Sequence, residues 1–474
     1  MRRDSLESSQ MIMMTAISSF YRRPALLLIS LALGVSSSAI FAAVGDPAGS
    51  EFQVNTYTLA NQQNPAVAID AAGGFVVVWE STVQAPGDFS GIYVQRYNAE
   101  GAPQGGEFQV NTVVGEDDQL PRVAMNDVGA FVMVWEGIDQ DGNLHVYSRR
   151  FDAAGMALGN DQEVTSIPIS IATVSTKPAV AMDASGNYIV AWENYDEING
   201  NEDIYARRFT AGGVANGTEF RVNTTIANDQ AAVALAMNSA GDFVISWQSA
   251  AQDGDGNGIY AQLYDATGTV LKSEFPVNTT IVSEQTAPTV AMSANGFVVA
   301  WQSLAQDGDG NGIYAQRYDA IGTTQGGEFR VNTTTTSEQT APAVAMNTDG
   351  FTVTWESLGQ DGNLKGVFAQ RFDTNGSTQG GEFQVNTTTA KDQALPAVAI
   401  NDDSASVVAW QSYAQDKSWN GVYAQRYLGN SVVSSTSAAN VSGNGGGGAF
   451  GLFGAILILP AFFRQRQRGK PHRS

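Results

Sequence analysis

Short apolar runs recur through the middle of the chain, and turn-forming residues bound each of them. The clearest run ends in tryptophan and appears seven times, at Trp79, Trp135, Trp192, Trp247, Trp301, Trp355 and Trp410. Successive tryptophans lie 54 to 57 residues apart, so one unit is repeated seven times. No segment of this region repeats its apolar positions with the helical period, so the pattern predicts an all-β body without helices.

Each unit contains four strand-like segments, which we call a, b, c and d in chain order. Around Trp301 these segments are residues 288–292, 297–301, 312–319 and 328–333. They are rich in β-branched and aromatic residues, and Gly, Asn and Asp occupy the connections between them, as expected of strands joined by tight reversals. The pattern therefore predicts seven sheets of four strands.

The alternation of side chains predicts how each strand is covered. In strand b of the first unit, Phe75, Val77 and Trp79 point to one face, while Val76 and Val78 point to the other. Both faces are apolar, which is typical of a strand that is covered on both sides. Strand d, with sequences such as EFQVNT, alternates polar and apolar residues and is expected to be half exposed. Such a sheet suits a blade that has a neighbour on each face.

The order of the segments predicts a closed ring. Strands a, b and c occur seven times, and so does strand d, which begins at Glu51, Glu107, Glu163, Glu219, Glu274, Glu328 and Glu382. The first strand d precedes every strand a, however, and the last a–b–c unit, residues 396–427, has no strand d after it. We therefore expect residues 51–56 to supply the outer strand of the last blade, because closure pairs the edges that an open array would expose.

This arrangement resembles the β-propeller fold over residues 51–428, with seven four-stranded blades. The unit is also similar to repeats of large secreted bacterial proteins. A row of small β-sandwiches and a linear β-solenoid are the alternatives. The repeat is short for the first alternative and long for the second.

The N-terminal residues 1–43 have the layout of a secretory signal peptide. Arg22 and Arg23 precede an apolar run that ends in small residues, and cleavage is expected near Ala42 or Ala43. An uncleaved membrane anchor is the alternative.

The C-terminus has three parts: a Ser- and Gly-rich linker (429–448), a short hydrophobic segment (449–463) and a basic tail (464–474). This order resembles the GlyGly-CTERM sorting tail of Gram-negative bacteria. The resemblance implies transient membrane anchoring, cleavage by a rhomboid-type protease (rhombosortase) and type II secretion to the cell surface or medium. The expected processing site is Gly445, Gly446, Gly447 and Gly448. A plain inner-membrane anchor is the alternative, since Pro460 interrupts the apolar segment.

Composition excludes several classes of function. The net charge is −22 although residues 1–43 and 445–474 are both net positive, so the repeated body between them is strongly acidic and nucleic acid is excluded as a partner. The chain has no cysteine, which excludes thiolate chemistry. It has two histidines, His145 and His472, so a multi-histidine metal site is excluded. His145 follows QDGNL, so we expect it to lie in a surface loop.

Two b–c loops read QDGDGNG and contain the residues of a candidate calcium site: Asp253, Asp255, Asn257, Asp307, Asp309 and Asn311. Oxygen ligands at alternate positions suit a hard cation. The loops are similar to the Asp-rich calcium loops of integrin-type propellers. Tyr264 occupies the position where an EF-hand has glutamate, so an EF-hand is excluded. A simple tight reversal is the alternative.

The d–a loops carry the acidic residues Asp229, Glu284, Glu338 and Asp392, which in a propeller share one face with the b–c loops. We expect this acidic face to bind a glycan, a protein or a cation, or else to be simply solvated. The arginine near the end of strand c is expected to pair with the glutamate of strand d.

No catalytic motif is evident, so the sequence favours a non-enzymatic binding or adhesion module and leaves a glycan-processing hydrolase or lyase as the alternative. The central channel discriminates between them. Two carboxylates beside exposed aromatic residues there would favour the enzyme. A lining of small apolar residues such as Val67, Val123 and Val180 would favour binding by the loop face.

Overall fold

The computed structural model describes residues 43–85, 89–112, 117–138, 143–165, 176–196 and 200–430. In these residues all regular elements are strands, which confirms the all-β prediction. None of the described residues belongs to a helix long and apolar enough to span a membrane. The predicted sorting segments after residue 430, including Gly445–Gly448, lie outside the described residues, and so does the predicted signal peptide except for residue 43.

The described residues form seven four-stranded antiparallel sheets, which we number as blades 1 to 7. Strand β1 (Phe52–Gln53) comes first in the chain. Blades 1 to 3 follow as β2 (Gln62–Ile69), β3 (Phe75–Thr82), β4 (Ser90–Tyr97) and β5 (Phe108–Gln109); β6 (Gln119–Met125), β7 (Phe131–Ile138), β8 (Leu144–Phe151) and β9 (Gln162–Glu163); and β10 (Ala179–Met182), β11 (Tyr188–Asp196), β12 (Asn201–Phe209) and β13 (Phe220–Arg221).

Blades 4 to 6 are β14 (Gln230–Met237), β15 (Phe243–Ala250), β16 (Asn257–Tyr264) and β17 (Val270–Pro276); β18 (Gln285–Ser293), β19 (Gly296–Leu304), β20 (Asn311–Asp319) and β21 (Phe329–Arg330); and β22 (Gln339–Met346), β23 (Gly350–Leu358), β24 (Lys365–Asp373) and β25 (Phe383–Gln384). Blade 7 contains β26 (Gln393–Ile400), β27 (Ser406–Tyr413) and β28 (Asn420–Tyr427). Strand b runs past its tryptophan, because the polar residues that follow are buried and paired.

The fourth strand of blade 7 is β1, so the predicted closure of the ring is confirmed. Phe52 pairs with Ala424, and Gln53 pairs with Tyr423, in antiparallel register. The carboxylate of Glu51 accepts the backbone N–H of Thr387 in blade 6 at 2.6 Å. The N-terminal strand therefore completes the last sheet and also joins it to the preceding blade.

The core lies between neighbouring blades, and the repeat tryptophans form its centre. Trp301 is fully buried and packs with Val244 and Ile259 of the preceding blade. The rings of Phe297 and Tyr318 stack with centroids 4.6 Å apart in the same layer. Aromatic side chains bury the most area per residue, so the seven tryptophans supply much of the energy that holds the blades together.

The residue after each of the seven repeat tryptophans is Glu or Gln, and it joins its blade to the next one. The Gln302 side-chain oxygen accepts the backbone N–H of Ala341 at 3.2 Å. Ala341 lies in a bulge of strand a, between Thr340 and Ala343. The described residues repeat this bond at five other seams, in the pairs Glu80–Leu120, Glu193–Ala232, Gln248–Ala287, Glu356–Leu395 and Gln411–Asn64. At the remaining seam Glu136 accepts the backbone N–H of Thr176, one residue before the equivalent position.

The predicted pairing of strand c arginines with strand d glutamates is wrong, because both partners bond to neighbouring blades. Arg96 donates to the carbonyl of Ala153 in the c–d turn of blade 2, at 2.7 Å. Glu328 accepts the N–H of Thr279 in blade 4 at 2.6 Å. A carbonyl or an N–H on the adjacent blade has no sequence signature, so the local pattern suggested the cross-strand pair instead.

Candidate functional site

The innermost strands enclose a central channel that contains a cavity of about 370 Å³. Small apolar residues line most of the cavity, among them Val67, Val123 and Val180. None of the described residues that line the cavity carries a carboxylate group. Arg122 is the one charged side chain of the described lining.

A pair of acidic side chains lies in blade 3, next to the bulge position that borders this channel in other blades. Glu193 follows the repeat tryptophan on β11 and is fully buried, and Glu202 lies on β12 and is partly exposed. Their carboxyl groups share a hydrogen bond. Glu193 also accepts the backbone N–H of Ala232 at 2.6 Å, and its other oxygen lies 3.3 Å from the Lys177 ammonium.

The bulge position of strand a places this pair beside the channel. Lys177 and Ala232 occupy in their blades the position of Asn64, Ala341 and Leu395, which line the cavity. All five residues have a positive φ, which is 36° at Lys177 and 53° at Ala232. The acid pair is thus held against a rigid, repeated backbone feature at the channel mouth.

Burial sets the protonation of the two acids. Loss of solvent raises the pKa of Glu193 to about 7, and the positive charge of Lys177 partly opposes this shift. Burial also raises the pKa of Glu202, and the negative charge of Asp229 adds to that shift. The Asp229 carboxylate accepts the backbone N–H of Glu202 at 3.2 Å. Glu202 is therefore a partly exposed carboxyl group that keeps its proton to a higher pH than an ordinary glutamate does.

Blade 6 shows how the same positions differ when no second acid is present. Glu356 occupies the position of Glu193, and Lys365 occupies that of Glu202. The Lys365 ammonium lies 2.6 Å from the Glu356 carboxylate, which accepts the N–H of Leu395 at 2.7 Å. The carboxyl pair is therefore a departure from the repeat and not a requirement of it.

The structure places the four predicted loop acids at equivalent positions, where each joins a d–a loop to the start of strand c in the preceding blade. Glu284 accepts the backbone and side-chain N–H groups of Asn257, at 3.0 and 2.7 Å. The remaining bonds of this kind join Glu338 to Asn311, Asp229 to Glu202 and Asp392 to Lys365. Asp229 is the member of the set that lies beside the acid pair.

The predicted calcium loops use several of their polar atoms within the protein. Asp255 accepts the backbone N–H of Ser283 at 3.0 Å, and Asp309 accepts that of Ser337 at 3.0 Å. Asp253 and Asp307 lie near the side chains of the strand d asparagines. No group of three or more His, Asp or Glu that could hold a metal occurs in the described residues. Calcium binding stays a prediction.

Sequence reasoning missed an exposed aromatic pair on the loop face. Trp419 is 58% exposed and Tyr413 is 37% exposed, and their rings meet edge to face with centroids 6.4 Å apart. Trp419 is the eighth tryptophan and the one outside the repeat position. That exception was the feature of the sequence that could have indicated this exposed pair.

His145 is buried on β8 and lies 2.9 Å from Glu163, so its expected place in a surface loop is wrong.

The fold defines the class of protein as a seven-bladed β-propeller. No protein-family model and no curated protein matches the chain. The chain is similar to the solved structure of an ulvan lyase, a polysaccharide lyase bound to -[GlcA(1-4)Rha3S]-, with a TM-score of 0.51 and 11% identity over 80% of this chain and 96% of that one. At this identity the likeness shows the fold alone.

Two further solved structures are similar at lower TM-scores. One is an α-L-arabinanase of Penicillium chrysogenum complexed with arabinobiose, with 12% identity over 81% of this chain and 99% of that one and a TM-score of 0.45. The other is a protein of unknown function from Dyadobacter fermentans, with 10% identity over 66% of this chain and 94% of that one and a TM-score of 0.46.

Proposed function

We propose that the protein is a polysaccharide-processing enzyme, a hydrolase or lyase, whose site lies at the channel rim of blade 3. The observation that carries this proposal is the hydrogen-bonded pair Glu193–Glu202 beside Lys177. The ulvan lyase with the same fold is bound to an oligosaccharide, and that class of ligand suits a rim that offers hydrogen-bonding groups at the mouth of a channel.

Each residue has a separate role in this proposal. Glu202 is partly exposed and its pKa is raised by burial, so it acts in this proposal as the general acid that protonates the leaving glycosidic oxygen. Glu193 is a positioning residue that holds the Glu202 carboxyl group through their hydrogen bond. Asp229 is exposed and supplies the second carboxylate that glycoside hydrolysis requires. The Lys177 ammonium is 49% exposed and attracts negative charge on the substrate.

The Glu202→Gln variant tests the role of the acid. We expect it to lower the release of new reducing ends from a cleaved polysaccharide at least about 100-fold, because general acid catalysis commonly contributes that much. The assay uses residues 43–430 with a panel of purified neutral, uronic and sulfated polysaccharides, and absorbance of unsaturated products separates lyase from hydrolase action.

The matched control is Glu356→Gln, which changes the buried acid of blade 6 at the position of Glu193. It should keep the wild-type rate, since blades 4, 5 and 7 carry glutamine there. Full activity of the Glu202→Gln variant, or no product from any polysaccharide with the wild type, would reject the proposal.

Binding without cleavage is the second candidate function, and the lining of the channel favours it. The described cavity wall is apolar apart from a few polar side chains and lacks carboxylates, as we expected of a protein that binds through its loop face. The exposed rings of Trp419 and Tyr413 on that face are suited to stacking on a sugar.

Residues 1–43 and Gly445–Gly448 lead us to propose further that the protein is exported and displayed or released. Mass spectrometry of the mature N- and C-termini would test this proposal.

A further inference from the structure

Arg122 breaks the repeat inside the channel. It lies on β6, where the other blades carry small residues at the same position: Ala66, Ala179, Ala234, Thr289, Ala343 and Ala397. All seven residues line the channel cavity. The sevenfold packing therefore does not require a long side chain here, and a charged one stands in an otherwise small and apolar ring.

The Arg122 guanidinium has little compensation from the protein. Its Nη1 donates to the carbonyl of the neighbouring Pro121 at 2.8 Å. Within the described ranges no carboxylate lies within ion-pair distance of it, and loss of solvent, with no opposing negative charge, lowers the pKa of Arg122. An arginine remains charged at neutral pH, so this partly buried cation without a counter-charge lowers the free energy of unfolding.

The remaining N–H groups of Arg122 face a cavity large enough for a small ligand. A volume of about 370 Å³ falls within the range of small-molecule sites. A guanidinium binds planar or tetrahedral oxyanions through two parallel N–H···O bonds, and an anion would also offset the cost of burying the charge.

We infer that Arg122 forms an anion-binding site in the channel, which holds a carboxylate or sulfate group of an acidic polysaccharide. This inference rests on the proposed function in that it names the substrate class of the same channel mouth. A neutral glycan would leave the guanidinium without a counter-charge, so the site selects for uronic or sulfated sugars.

The test is titration calorimetry on residues 43–430 that carry Glu202→Gln to prevent cleavage. The probes are a uronic acid tetrasaccharide, a sulfated neutral tetrasaccharide and the unsulfated form of the latter. We expect Arg122→Ala to weaken binding of at least one acidic probe more than about tenfold, the size of one charge-assisted contact. The probe whose binding depends on Arg122 identifies the anion as carboxylate or sulfate.

Thr289→Ala is the matched control, because it changes the other non-alanine side chain of the ring and should leave all affinities unchanged. Alanine is the residue of most blades at this position, so the Arg122→Ala variant is expected to fold. Equal binding of the acidic and unsulfated neutral probes, or equal affinity with and without Arg122, would overturn the inference. Binding that depends on Arg122 in a protein that cleaves nothing would uphold the inference and reject only the proposed cleavage.

Discussion

Removal of residues 51–56 is expected to make the protein aggregate. The deletion takes away β1 and exposes the edge of β28, and unpaired strand edges are templates for intermolecular pairing. It also removes Glu51, whose carboxylate bonds to Thr387 and to the Gln415 amide. Size-exclusion chromatography and thermal unfolding of residues 43–430 with and without this segment measure the effect.

Glu51→Ala is the control for this deletion. It removes the bonds to blade 6 and keeps the strand, so the protein should remain soluble with a modestly lower Tm. If the deletion variant is fully soluble and unfolds at the wild-type temperature, the N-terminal strand does not close the ring.

Glu193→Gln is expected to stabilise the protein by about 3 kcal/mol above pH 7 and to have little effect near pH 4. The pKa of Glu193 is raised from 4.5 to about 7 in the folded state, so the folded protein keeps a proton that the unfolded chain loses between these values. The free energy of unfolding therefore falls as the pH rises from about 4.5 to 7, by about 1.4 kcal/mol per pKa unit. Glutamine cannot ionise and avoids this loss.

Denaturant unfolding of both proteins at pH 4, 6 and 8 measures the difference. The glutamine oxygen can still accept the N–H of Ala232, as Gln248 and Gln302 do for Ala287 and Ala341, so the seam is preserved. A difference in stability that does not change with pH would show that folding does not raise the pKa of Glu193.

The ring and its closure could be predicted from the sequence because both follow from local patterns. The two-residue alternation assigns the strands, and the excess d segment at residues 51–56 requires a partner that only the last blade can provide. The d strands that the sequence predicts are longer than those in the structure. In blade 5 the predicted segment is 328–333, but β21 pairs only at Phe329 and Arg330. Strand pairing depends on the position of the neighbouring strand, which the local pattern does not contain.

The candidate site could not be predicted, because its parts come from separate strands and loops. Glu193 is visible as the acid after a tryptophan, but its partner Lys177 lies just before β10 and its partner Ala232 lies on β14 of the next blade. Arg122 is visible as an exception among alanines only after the strands a have been aligned by their common register. The lesson for repeat proteins is that departures from the repeat, not its shared residues, indicate the site.

A disulfide between two introduced cysteines tests the closed ring most directly, because the chain has no cysteine of its own. Gln53 faces Tyr423 across β1 and β28, whereas Tyr93 of blade 1 faces Gln109. Oxidation of the Gln53→Cys/Tyr423→Cys protein should give an intramolecular link between the two ends of the ring, detected by peptide mass spectrometry. The Gln53→Cys/Tyr93→Cys protein should give none. The reverse result, a link to position 93 and none to position 423, would contradict closure of the last blade by the N-terminal strand.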